Sequence, residues 1–181
     1  MASTGAVFPG SAASIDRAGS TAWATPTNVS ADDGNNATST VPTDYLTTYN
    51  YGFGSLIPDG ATINGVTVVV EMSETGAAGS NYVLQLNSTS TPTLIGDPTG
   101  SIAVSGGPDV STSGSSSDTW NAALTRTIVA GIEFGVTLWS TDTINGLQCD
   151  YITITVEYTV PVSFLPYHSK ASLRRNTLLR M

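Results

Sequence analysis

Residues Cys149–Val160 alternate between apolar and polar side chains. Ile152, Ile154, Val156, Tyr158 and Val160 fall on one face of an extended chain. Tyr151, Thr153, Thr155, Glu157 and Thr159 fall on the other. A period of two belongs to a β-strand, here one with a buried and a solvated face. The alternation recurs at Ile132, Phe134, Val136 and Leu138, at Val66, Val68, Val70 and Met72, and at Tyr82, Leu84 and Leu86. Four such stripes without a competing helical period exclude a helical body. Weaker strands are expected at Thr21–Ala24, Tyr45–Tyr51, Ser101–Val104 and Arg126–Ala130.

Turn residues separate the stripes. Pro58-Asp59-Gly60, Asn64-Gly65, Gly76–Gly79 and Asn145-Gly146 are rich in residues that accept a positive φ. Ser105–Asp118 (SGGPDVSTSGSSSD) reads as a flexible loop. The expected fold is all-β: an antiparallel β-sandwich of jelly-roll type with about eight strands. It spans residues 21–160, after an extended N-terminal arm at 1–20 and before a C-terminal tail at 161–181. Val68, Val70, Leu84, Phe134, Val136, Ile152, Ile154 and Val156 are the expected core.

Charge divides the chain. Up to Val160 there are fourteen acidic residues against Arg17 and Arg126, a formal −12; Lys170, Arg174, Arg175 and Arg180 give the tail +4. An acidic surface repels phosphate, so nucleic acid is not an expected partner for the body. The single Cys149 cannot pair within the chain, and zinc-ligand spacings are absent. The opening residues lack the basic and apolar regions of a secretory signal, and no apolar run approaches the length of a membrane span. The expectation is a protein made in a cytoplasm, with no membrane partner.

The residues that carry chemistry are sparse. His168, the lone histidine, sits in the tail, and no G-x-S-x-G elbow occurs, so a serine triad is not expected. Cys149 opens a strand, where an inert buried thiol is the ordinary state. Glu71 with Glu74, and Asp32 with Asp33, are acidic groups close in sequence. They read as a strand end and a solvated turn ahead of a glycosidase pair. The Asp32–Asn36 turn carries oxygen ligands but lacks the spacing of an EF-hand loop. Phosphate-cradling and dinucleotide motifs are absent. No catalytic residue, cofactor or metal is therefore expected.

Several segments together resemble a known family. They are Trp23–Asn28 (WATPTN), Ala31–Gly34 (ADDG), Asn36–Thr38 (NAT), Tyr45-Leu46, Tyr51–Gly54 (YGFG) and Leu56–Glu71 (LIPDGATINGVTVVVE). Asp118–Trp120 (DTW), Phe134–Val136 (FGV) and Asp150–Tyr158 (DYITITVEY) follow. Their order is similar to a β-sandwich domain of structural proteins of tailed bacteriophages, over about Trp23 to Thr159. In that family the Phe-Gly-Phe stretch runs straight into Ile-Pro, whereas Gly54-Ser55-Leu56 intervenes here. The resemblance implies a virion component, not an enzyme.

The tail lies outside the resemblance. Phe164, Leu165, Tyr167, Leu173, Leu178 and Leu179 offer apolar anchors, and Lys170, Arg174, Arg175 and Arg180 offer partners for carboxylates. Arginine grips carboxylates in bidentate fashion. These ten residues are the expected partner-binding set. The expected function is a capsid decoration (cement) protein on the virion surface. It would stabilise the head by binding the major capsid protein or another virion protein, and would act as a homotrimer by analogy with proteins at three-fold positions of a shell. The alternative is a head- or tail-fibre-type module that binds host-surface carbohydrate through loop aromatics, Asp and Asn.

Overall fold

The structure, a computed structural model, describes residues 1–76, 79–142 and 145–161. The strands are β1 (Ala2–Ser3), β2 (Ser11–Ile15), β3 (Ala37–Thr40), β4 (Tyr45–Tyr49), β5 (Thr62–Glu74), β6 (Asn81–Asn87), β7 (Leu94–Ile95), β8 (Ile102–Ala103), β9 (Asp109–Gly114), β10 (Gly135–Trp139) and β11 (Gly146–Thr159). Two single-turn helices, α1 (Phe53–Leu56) and α2 (Arg126–Val129), lie in connections.

The strands form two antiparallel sheets, the expected β-sandwich. One contains β3 and β1 against β11, then β5 and β9; the other runs β2-β4-β10-β6-β7, with β8 also on β6. From β3 to β6, and again from β9 to β11, each new strand crosses to the opposite sheet. That path is the double Greek key of a jelly roll.

The stripes supply the core. Val66, Val68 and Val70 of β5 and Ile152, Ile154 and Val156 of β11 have no exposed surface, and neither do Leu84, Leu86, Val136 and Leu138 of the facing sheet, nor Phe134 just before β10. All eight residues expected in the core are there. Each fully buried side chain of this size contributes about 1.5–3 kcal/mol. Ile132, placed on the same stripe as Phe134, is instead 68 % exposed. The chain reaches β10 only at Gly135, so Ile132 precedes the strand that would aim it inward.

The N-terminal residues expected as an arm run along the sandwich and pair with it. Ala2 and Ser3 pair with Tyr158 and Glu157, Val7 exchanges backbone hydrogen bonds with Ile154, and β2 pairs along the whole of β4. β3 occupies the other half of the same β11 edge, from Gly146 to Cys149. Together they cover an edge whose backbone groups would otherwise be open to another chain.

Three local expectations change. Thr21–Ala24 makes isolated bridges at Thr21 and Ala24 without becoming a strand. In the expected strand Arg126–Ala130, residues Arg126–Val129 are instead helical, because the Thr125 hydroxyl accepts the Ile128 N–H and caps the turn. The supposed loop Ser105–Asp118 contains β9, paired with β5 from Thr67 to Met72. β9 lies at the end of its sheet, where Ser, Thr and Gly need no apolar alternation.

Candidate functional site

The most concentrated chemistry lies on the outer face of the β5–β11 sheet. Cys149 pairs with Met72 and Ile152 pairs with Val70, so Asp150 and Tyr151 together stand opposite Glu71. This is a β-bulge, two residues against one, and it turns a side chain out of the regular alternation. Asp32 reaches the same place from the loop that follows a short 3-10 turn at Pro26–Val29. Carboxylate oxygens of Asp32, Glu71 and Asp150 all lie within 4.8 Å of one another.

The groups are held differently. Asp150 is buried and accepts the Gly34 N–H on both oxygens, at 3.1 and 3.2 Å. Asp33, next in the turn, accepts the Asn35 N–H at 3.0 Å, which lowers its pKa. Glu71 is half-buried; desolvation, then the charges of Asp150 and Asp32, raise its pKa. Burial and the same carboxylates raise the Tyr151 phenol. Burial, with the charges of Asp150 and Glu71 added, holds the Cys149 thiol well above its ordinary value, and therefore protonated.

Three carboxylates, of Asp32 exposed, Glu71 half-buried and Asp150 buried, can supply part of the shell of a hard divalent cation, which takes six to eight oxygens when it is Ca²⁺. They are closer together than the roughly 5–5.5 Å of a retaining glycosidase pair.

The pairs close in sequence do not act together. Glu71 and Glu74 are three residues apart on one strand, so they lie on opposite faces. Glu74 turns inward and accepts the backbone N–H groups of Gly79 and Ser80. Asp150 was not among the candidate acids. The signal that could have found it is the parity break between Cys149 and Ile152, both apolar yet three residues apart.

A second feature is the end of the sandwich where β4 and β11 finish and β5 and β10 begin. Leu56, Ile132 and Val160 are exposed there, at 42 %, 68 % and 47 %. The Asn50 N–H donates to the Ile132 carbonyl, and the Tyr158 hydroxyl donates to the Leu56 carbonyl. Pro161 lies at the Pro58–Gly60 turn. Arg126 braces this end through the Ile57 and Gly54 carbonyls and Asp59.

A third feature is a cleft of about 280 Å³ lined by Asp97, Thr99, Asp118, Trp120 and Asn121. The tail residues Phe164, Leu165, Tyr167, Lys170, Leu173, Arg174, Arg175, Leu178, Leu179 and Arg180, and His168, lie outside the described residues. No helix among the described residues is long and apolar enough to cross a membrane. No protein-family model, curated protein or solved structure matches the chain.

Proposed function

We propose that the chain is a structural component of a phage virion, a capsid decoration protein that attaches to the major capsid protein and stabilises the head. The observation that carries this reading is the apolar end of the sandwich. Of the six large apolar side chains exposed among the described residues, Leu56, Ile132 and Val160 share the end from which the chain continues into residues 162–181. Apolar side chains gathered at one end of a solvated domain mark an interaction surface.

The continuing segment adds apolar anchors and four positive charges to a body of formal −12. Such a body repels its own copies, so contacts must come from its ends. The apolar anchors would supply most of the affinity, and the charges would set orientation and association rate. Exposed ion pairs contribute only about 0–1 kcal/mol each. On this reading the chain sits on the virion surface as a homo-oligomer, a trimer at three-fold positions. The absence of enzymatic activity belongs to the same proposal.

The test is binding to particles. Leu56→Asp and Ile132→Asp change exposed side chains and should leave folding intact. The double variant should fail to co-sediment with capsids that retain the unchanged protein. Equal co-sedimentation of both proteins would refute this placement of the contact surface.

A further inference from the structure

The cleft beside Trp120 has the features of a built binding site. Two segments form its walls, 97–99 and 118–121, and the second is fixed by unusual backbone. Trp120 and Asn121 are consecutive residues at φ of 58° and 52°, the left-handed region that side chains other than glycine rarely adopt. Strain of this kind persists where surrounding structure imposes it, and it concentrates at functional sites. Here the Trp120 N–H donates to Asp118 Oδ1 at 2.7 Å, its carbonyl accepts the Asp97 N–H at 2.7 Å, and its indole N–H donates to the Val66 carbonyl at 2.9 Å. The neighbouring glycines keep the space open. A Cβ at Gly96 would stand 2.1 Å from the Trp120 carbonyl, and one at Gly114 would stand 2.6 Å from the indole nitrogen.

The polar inventory defines a ligand class. Asp97 Oδ2 accepts the Asn121 amide at 3.1 Å, and Thr99 Oγ1 accepts the Leu84 N–H at 2.9 Å. Among the described residues, the second carboxylate oxygens of Asp97 and Asp118 and the Asn121 amide oxygen have no partner. The Thr99 hydroxyl proton and one Asn121 amide proton remain as donors. The cleft thus offers mostly acceptors and a few donors beside the buried Trp120 ring, which is 6 % exposed, and no Lys, Arg or His lines it. Two carboxylates without a cation repel anions. Adjacent sugar hydroxyls donate to carboxylates and accept from amides. The geometry points to a binding site for a neutral hexopyranose, free or as a glycan residue, held by Asp97, Asp118, Asn121 and Thr99, with Trp120 fixing the backbone that positions them. This inference is independent of the attachment reading above.

The experiment is an amide and indole NMR titration of the full chain with the methyl glycosides of glucose, galactose and mannose. Sialyllactose serves as the anionic comparison and CaCl₂ as the cation comparison. At least one neutral glycoside should produce saturable shifts at the Trp120 indole N–H and the Asn121 side-chain amide, and sialyllactose should not. Asp97→Ala should weaken that binding by about tenfold or more, as expected when a charged acceptor is lost. Asn121→Asp, which keeps a residue tolerant of the left-handed backbone, should weaken it as well. Should Asp97→Ala not fold, the shift map of the unchanged chain and the Asn121→Asp titration decide. Shifts caused by CaCl₂ alone, shifts that map elsewhere, no response to any neutral glycoside, or full affinity in the folded variants would overturn the inference.

Discussion

Gly34 donates its backbone N–H to both carboxylate oxygens of Asp150, at 3.1 and 3.2 Å. This contact joins the Asp32–Asn36 turn to the bulge of β11 across a sequence separation of 116 residues. It also holds a buried carboxylate beside Asp32 and Glu71, so the sheet face carries like charges in close quarters.

That crowding has a signed consequence. Glu71 has a raised pKa in the folded state, so the native protein binds this proton more tightly than the unfolded chain does. The group favours folding most fully below its ordinary value of 4.5 and opposes it increasingly as pH rises past that value. Glu71→Gln should therefore raise the melting temperature at pH 7, by the equivalent of about 0.2–1 kcal/mol for like charges opposed on a sheet. The gain should shrink toward zero on acidification. Thermal melts across pH test this; a gain that grows at low pH would contradict it.

Ile154 is fully buried on the central strand β11. An unpaired charge there costs several kcal/mol, a large part of a domain's stability. Ile154→Asp should yield no folded protein, as read by near- and far-UV circular dichroism. A soluble variant with a normal melt would contradict the assignment of that face to the core.

Gly135 is required by close approach. A Cβ there would stand 1.8 Å from the Thr48 carbonyl, whereas at Gly107 nothing lies within 4 Å. Gly135→Ala should destabilise the protein by about 1–3 kcal/mol or more, the usual cost of overpacking. Gly107→Ala should be near neutral in the same denaturant titration.

Arg126 separates charge from hydrogen bonding. Its ion pair with Asp59 is 3.0 Å long, but the Asp59 side chain is 92 % exposed. Asp59→Ala should therefore cost at most about 1 kcal/mol. Arg126→Ala also removes the donors to the Ile57 and Gly54 carbonyls and should cost more, by about 1–3 kcal/mol. Comparable losses in denaturant titrations of the two variants would show that the ion pair dominates.

The sandwich was legible because its central strands bury one face, and a half-buried strand writes a period of two into its sequence. Val68, Val70, Ile152 and Ile154 are the clear cases. β9 was not legible, because Val110-Ser-Thr-Ser113 sits at a sheet edge and buries little. α2 was obscured by the β-branched Thr127, Ile128 and Val129, while the Thr125 cap decided the conformation. The acidic cluster was half legible. Asp32 and Glu71 were visible candidates, but their partner is Asp150, aimed by a bulge that shifts strand parity. Trp120 is buried, at 6 % exposure. The left-handed pair Trp120-Asn121 left no mark in composition.

The most direct test of the attachment account is the copy number of the chain in purified phage particles, measured by quantitative mass spectrometry against the major capsid protein. The account predicts a fixed stoichiometric ratio, lost when the chain ends at Val160 even though that shortened protein folds normally by circular dichroism. Absence of the chain from particles, or undiminished incorporation of the shortened protein, would contradict it.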